Sequence, residues 1–205
     1  ALISTALGIG PSAHHSLQQS NCGISELTFT GHLVDRSGNR SLQMSQAQIQ
    51  QLNQTTAIGE TLPKLKISKK GLRLLLLAGD RITPTNSKSI IQRLATLPID
   101  FYLSADDTRQ SFHGHMPQLS KALWLSAQKS DFLEDWQHHL CQSRQPVEPI
   151  IKGLTIDPAR SIQKLLIQTL GQQIEECDRS AIRPGQLSII HYPYTHRPVV
   201  QAINY

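Results

Sequence analysis

The sequence is poor in the residue types that several function classes require. It has three cysteines, Cys22, Cys141 and Cys177, at wide and unpatterned spacing. An odd number with no C-x-x-C pair argues against a disulfide framework or a zinc knuckle, and it leads us to expect a reduced, cytoplasmic chain. Aromatic residues make up 5% and charged residues 17%. The excess of 20 Lys and Arg over 15 Asp and Glu leaves a net charge of +5. The basic residues are scattered, however, with Lys64, Lys66, Lys69, Lys70 and Arg73 as the densest group. Nucleic-acid recognition needs a clustered basic face together with aromatics or a readable motif, so no nucleic-acid partner is expected. No run of eighteen apolar residues occurs, which predicts no membrane span. The sequence as given does not open on a basic segment followed by an apolar one. No phosphate-cradling glycine loop follows a strand, and no nucleotide cofactor is predicted.

What is present suits a folded chain. Hydrophobic residues reach 39%, enough for one buried core at this length, and residues 1–205 are expected to form a single domain. Ala1 to Ala6 reads as a buried strand ended by Gly8, Gly10 and Pro11, with a short helix over Ser12 to Gln19. Leu27 to Val34 reads as one extended segment closed by a turn over Asp35 to Asn39, and Ser45 to Asn53 as a polar, Gln-rich stretch. The dense leucines between Ser68 and Gly79 predict a helix buried on most of its surface. Ile90, Ile91, Leu94 and Leu97 supply the face of a further helix, capped by Thr85 or Asn86 and stopped by Pro98. A strand follows over Ile99 to Ser104. "LSKALWLSAQ" and "DFLEDWQHHL" read as helical.

Asp157-Pro158 has the form of an N-cap followed by Pro in the first turn, and Ile162, Leu165, Leu166, Leu170 and Ile174 then recur at helical spacing. "QLSIIHY" and "RPVVQAIN" read as two strands around a turn at Pro193 to His196. Strands alternating with helices predict an α/β fold, a mixed sheet layered with helices.

Nine histidines invite a metal reading through His14-His15, His113 with His115, His138-His139, and His191 with His196. Zinc catalysis needs three convergent ligands and an open position. Adjacent histidines diverge on a helix or a strand, and no third ligand is evident, so no metal site is assigned. Cys141 sits at a helix C-terminal end, the wrong dipole end for a thiolate, and Cys177 follows two glutamates that raise its pKa. Ser126 with Lys129 and Ser161 with Lys164 have S-x-x-K spacing but lack the accompanying lactamase elements. Asp106-Asp107 and Glu175-Glu176 are adjacent rather than opposed. No catalytic, cofactor-binding or metal-binding residue is therefore predicted.

In order, "LISTALGIGPSA", "HHSLQQ", "NCGIS", "FTGHLV", "LPKLKISKKGLRLLLLAGD" and "LPIDFYLSADD" resemble the opening of the β-ketoacyl-acyl carrier protein synthases, over about the first 107 residues. The resemblance implies a thiolase-like half fold. It also implies inactivity alone, because no Ala-Cys-Ser type nucleophile element is present and neither His191 nor His196 lies in a Gly-rich setting. Such a chain resembles the truncated chain-length-factor subunits of aryl polyene clusters. That implies a heterodimer with a catalytic β-ketoacyl synthase subunit, transient contact with acyl carrier protein, and no cofactor. Ile189, Ile190, His191, Tyr192 and Tyr194 are the expected partner contact, aromatic residues being enriched at interfaces. The alternative is a small stand-alone hydrolase or transferase, metal-dependent through its histidine groups.

Overall fold

The computed structural model describes residues 2–19, 23–29, 31–36, 39–44, 47–54, 62–65, 70–80, 82, 88, 91–92, 94–97, 99–104, 123–126, 150–172, 182–183 and 185–205. The chain opens with a short helix, α1 (Leu2–Ala6), and a 3₁₀ turn over Pro11–Ser16. The opening segment was expected to be a strand. Its backbone bonds locally instead, Leu7 N–H to the Ile3 carbonyl and Ile9 N–H to the Ser4 carbonyl, and Gly8 leaves it with a positive φ.

Two small antiparallel ribbons follow. β1 (Ile24–Thr28) pairs with β4 (Gln48–Gln54), and β2 (Gly31–Arg36) pairs with β3 (Asn39–Met44). The single extended segment expected over Leu27 to Val34 is thus divided between two partners. The Gln-rich stretch becomes β4, where Ile49 and Leu52 are buried.

The central sheet has six strands: β5 (Leu72–Ala78), β6 (Phe101–Ser104), β7 (Leu123–Ser126), β8 (Ile151–Asp157), β9 (Leu187–Tyr192) and β10 (Val199–Ala202), in the order β10-β9-β5-β8-β6-β7. β5 corrects the expected Leu-rich helix. A dense apolar run suits either a helix buried all round or a strand buried on both faces, and length decides between them. Here the run is seven residues between two glycines, and every one of the seven is buried. Parallel neighbours with both faces covered call for such a continuous run. β5 pairs with β8 in parallel and with β9 antiparallel. Residues 123–126 of the expected helix "LSKALWLSAQ" likewise form β7, parallel to β6. "DFLEDWQHHL" lies outside the described residues.

Two cores cover the two faces. Leu72, Leu74, Leu76, Phe101 and Leu103 meet α2 (Ala159–Thr169) through Ile162, Leu165 and Leu166. On the other face Leu75, Leu77, Leu154 and Ile156 meet Leu94 and Leu97, which follow the helical residues Ile91 and Gln92. The general α/β expectation with a mixed sheet agrees with this arrangement. No helix among the described residues is long and apolar enough to cross a membrane.

Two positions on this sheet make opposite stability predictions. Gly71 has φ +119°, and a Cβ there would fall 2.3 Å from the Tyr192 carbonyl oxygen. Gly71→Ala should lower unfolding stability by about 2 to 3 kcal/mol, combining backbone strain with overpacking. Thr155 is fully buried and its hydroxyl oxygen has no hydrogen-bond partner. Thr155→Val should therefore leave the urea midpoint unchanged or raise it, because it removes an unsatisfied polar atom.

Candidate functional site at the carboxyl edge of the sheet

β5, β8, β6 and β7 run parallel, so their carboxyl ends share one edge. From β5 the chain crosses the Leu75 and Leu77 face on its way to β6, with Leu94 and Leu97 packed there. From β8 it crosses the opposite face through α2 and continues to β9 on the far side of β5. The connections diverge between the neighbours β5 and β8. Where the connections of neighbouring strands leave over opposite faces of an α/β sheet, ligands are commonly held at the carboxyl ends of those strands.

Two short segments form the rim, Ala78-Gly79-Asp80 and Asp157-Pro158-Ala159. The Gly79 N–H donates to the Asp157 carbonyl at 3.0 Å, and the Gly185 N–H donates to the Ala78 carbonyl at 3.0 Å. Asp157 is 1% exposed, whereas Asp80 is exposed. The Ala159 N–H donates to Asp80 Oδ1 at 3.2 Å.

The sequence assigned the helix cap to Asp157. The structure puts Pro158 at the cap position with an extended backbone and no side-chain cap bond, and makes Asp157 the last residue of β8. The carboxylate serving the start of α2 comes from the β5 loop. A negative group there is stabilised by the unpaired N–H groups of the first turn and by the helix dipole. The edge therefore holds one buried carboxylate at the end of β8 and one exposed carboxylate in the loop after β5, groups suited to accepting and returning protons. Sequence reasoning missed both roles. Their shared signal is an apolar strand ending in Asp, "LLLLAGD" and "GLTID".

The residues expected to meet a partner lie in the chain's own sheet. Ile189, Ile190 and His191 are fully buried and Tyr192 is nearly so. They belong to β9, between β5 and β10. Tyr194, in the following turn, is half-buried. Among the histidine groupings, His14 and His15 fall in the 3₁₀ turn. His191 and His196 separate into the strand and an exposed turn, where His196 Nδ1 lies 2.8 Å from Thr195 Oγ1. No group of three or more potential metal ligands occurs among the described residues. His113, His115, His138, His139, the acidic pairs Asp106-Asp107 and Glu175-Glu176, and all three cysteines lie outside the described residues.

The ketosynthase resemblance is corrected. Its opening strand is a helix and its long helix is the central strand β5, so the order of elements on which it rested is absent. With it go the thiolase-like half fold, the chain-length-factor role and the ketosynthase and acyl-carrier partners.

No family model and no curated protein matches the chain. Solved structures similar to it include an α-ribazole phosphatase from Shigella flexneri, 12% identical, with a TM-score of 0.47 over 65% of this chain and 96% of that one. Another is a phosphoglycerate mutase from Plasmodium falciparum, 10% identical, with a TM-score of 0.47 over 64% of this chain and 89% of that one.

Two measurements check the electrostatics. Asp80→Ala should cost about 0.5 to 1 kcal/mol of unfolding stability through loss of the carboxylate at the start of α2. His191 is fully buried, and its pKa is held below the ordinary histidine value. Desolvation is the largest cause; a bond to the Lys70 carbonyl opposes it, and the Arg73 charge adds to it. The unfolded chain then binds a proton that the folded one refuses. Stability should be complete above pH ~6.5 and should fall as pH drops below it, by at most about 1.4 kcal/mol per pH unit. Urea unfolding should show this slope flattened in His191→Gln.

Proposed function

We propose that the chain is a small-molecule hydrolase or transferase working at the carboxyl-edge opening between β5 and β8. Asp157 is its proton-transferring carboxylate. The observation that carries this reading is the placement of a buried carboxylate at the end of a central strand, where the flanking connections diverge. There it takes the proton from an attacking water or hydroxyl and returns it to the departing oxygen, the work of a positioned general base and acid.

Asp80 sets the charge of the ligand. It occupies the start of α2, where an anionic group would otherwise be held. A neutral or cationic substrate is accommodated without displacing it. A phosphate ester, of the kind that the names of the similar solved structures carry, must first displace the Asp80 carboxylate. The exposed Arg160, in the first turn of α2, is the cation nearest in sequence to that start.

Steady-state hydrolysis of chromogenic acetate, glycoside and phosphate esters tests both roles. In the wild type an uncharged ester should be cleaved in preference to the phosphate. Asp157→Asn should lower that rate about 100-fold, within the usual range for a lost acid–base group, with an unchanged circular dichroism spectrum. Asp80→Asn should narrow the discrimination against the phosphate ester. Full activity in Asp157→Asn, or no turnover of any ester above buffer, contradicts the reading.

A further inference from the structure

Among the described residues, the opposite, amino-terminal end of the parallel strands is basic and only partly compensated. Arg73 of β5 faces His191 of β9 in the ladder and Lys152 of β8 on its other side. Directly paired residues share a face of the sheet, so the three side chains stand together. Arg73 is 6% exposed and His191 fully buried. Arg73 Nη2 donates to the Pro63 carbonyl, while its Nε–H meets no acceptor and His191 Nδ1 meets no partner.

Exposed Lys70 and Lys64 border this end in sequence, and Arg197 follows in the exposed turn after β9. Asp100 lies on the loop entering β6, and its Oδ2 accepts the Lys152 N–H at 2.7 Å. Arg73 forms an ion pair with no carboxylate among the described residues. Burial draws its pKa down to about 10, against an upward pull from Tyr205. A buried cation paired with no carboxylate among the described residues is disfavoured, so this arrangement suits an anion from outside the chain.

The histidine narrows the chemistry. Its Nε2 lies 3.3 Å from the Lys70 carbonyl, which can only accept, so Nε2 carries the proton. In the neutral ring Nδ1 is then an acceptor. A fully deprotonated oxyanion would set its lone pairs against that nitrogen. An oxyanion that keeps one hydroxyl can donate to Nδ1 while its other oxygens accept from Arg73.

We propose that Arg73, His191 and the bordering Lys70 and Lys152 form a binding site for hydrogen phosphate, free or as a small monoester, distinct from the carboxyl-edge opening at the other end of the same strands. Arg73 Nε–H and the lysines hold the charged oxygens, and His191 Nδ1 accepts from the phosphate hydroxyl.

The experiment is a calorimetric and thermal-shift titration of the full chain with inorganic phosphate at pH 6.5. Sodium sulfate and sodium chloride at equal ionic strength serve as comparators, and methyl phosphate as the monoester arm. Phosphate should bind saturably and raise Tm. Sulfate, which has no hydroxyl at this pH, should bind about tenfold more weakly, by the loss of one strong hydrogen bond. Lys70→Gln keeps the backbone carbonyl that positions His191 and should weaken phosphate binding about threefold, in keeping with a bordering charge. Arg73→Met should abolish it; if that variant does not fold, the Lys70→Gln comparison and the sulfate ratio decide. Equal responses to phosphate, sulfate and chloride, or a phosphate affinity unchanged in Lys70→Gln, overturn the proposal.

Discussion

Everything in this fold is arranged around the burial of β5 on both faces and along both edges. Its seven residues pair one-to-one with β8, from Leu72 with Ile151 to Ala78 with Asp157, and six of them pair with β9 on the other side. A strand so enclosed has no face that tolerates a charge except near its ends. The chain's polar chemistry is accordingly displaced to the two edges, about 20 Å apart at ~3.3 Å per residue. Gly79 and Asp80 emerge at one edge beside Asp157. Arg73 and His191 lie at the other, so that among the described residues the two edges differ in charge.

Uncharged amides attach the outlying ribbon to this sheet. Asn53, at the end of β4, has a positive φ, and its Nδ2 donates to the Gln18 and Gln201 carbonyls. Gln201 Nε2 donates to Gln18 Oε1 at 3.1 Å, and Gln18 Nε2 donates to the Lys64 carbonyl at 2.7 Å. Asn204, also at positive φ, donates to the Gln50 carbonyl and accepts the Arg183 N–H. Such bonds contribute about 1 kcal/mol each when made, and losing one partner of a buried pair costs more. They also give the Gln-rich composition a structural role: amides satisfy buried backbone carbonyls without introducing a charge.

Much of the layering was legible in the sequence, and the reasons for the failures are physical. The C-terminal strands and their turn were marked by apolar runs around Pro193 to His196. The helix after Asp157-Pro158 was marked by the 3.6-residue recurrence of Ile162, Leu165, Leu166 and Leu170. β5 was misread because four consecutive leucines have no period to separate a helix from a doubly buried strand; the glycines at 71 and 79 were the usable signal. That error supported the ketosynthase resemblance, since a long helix was needed there. The candidate site was hidden for a related reason. Asp80 and Asp157 are 77 residues apart in sequence and meet only because β5 and β8 are neighbours. The cap pattern at Asp157-Pro158 pointed to a local role that Asp80 in fact performs from the adjacent strand.

The central claim is that the opening between β5 and β8 receives the ligand. Amide shift mapping of the labelled full chain against a library of small neutral and cationic fragments tests it most directly. The account predicts that saturable perturbations concentrate on the amides of Gly79, Asp80, Asp157 and Ala159 and disappear in Asp157→Asn. Perturbations confined to other surfaces, with these four amides unmoved, would contradict it.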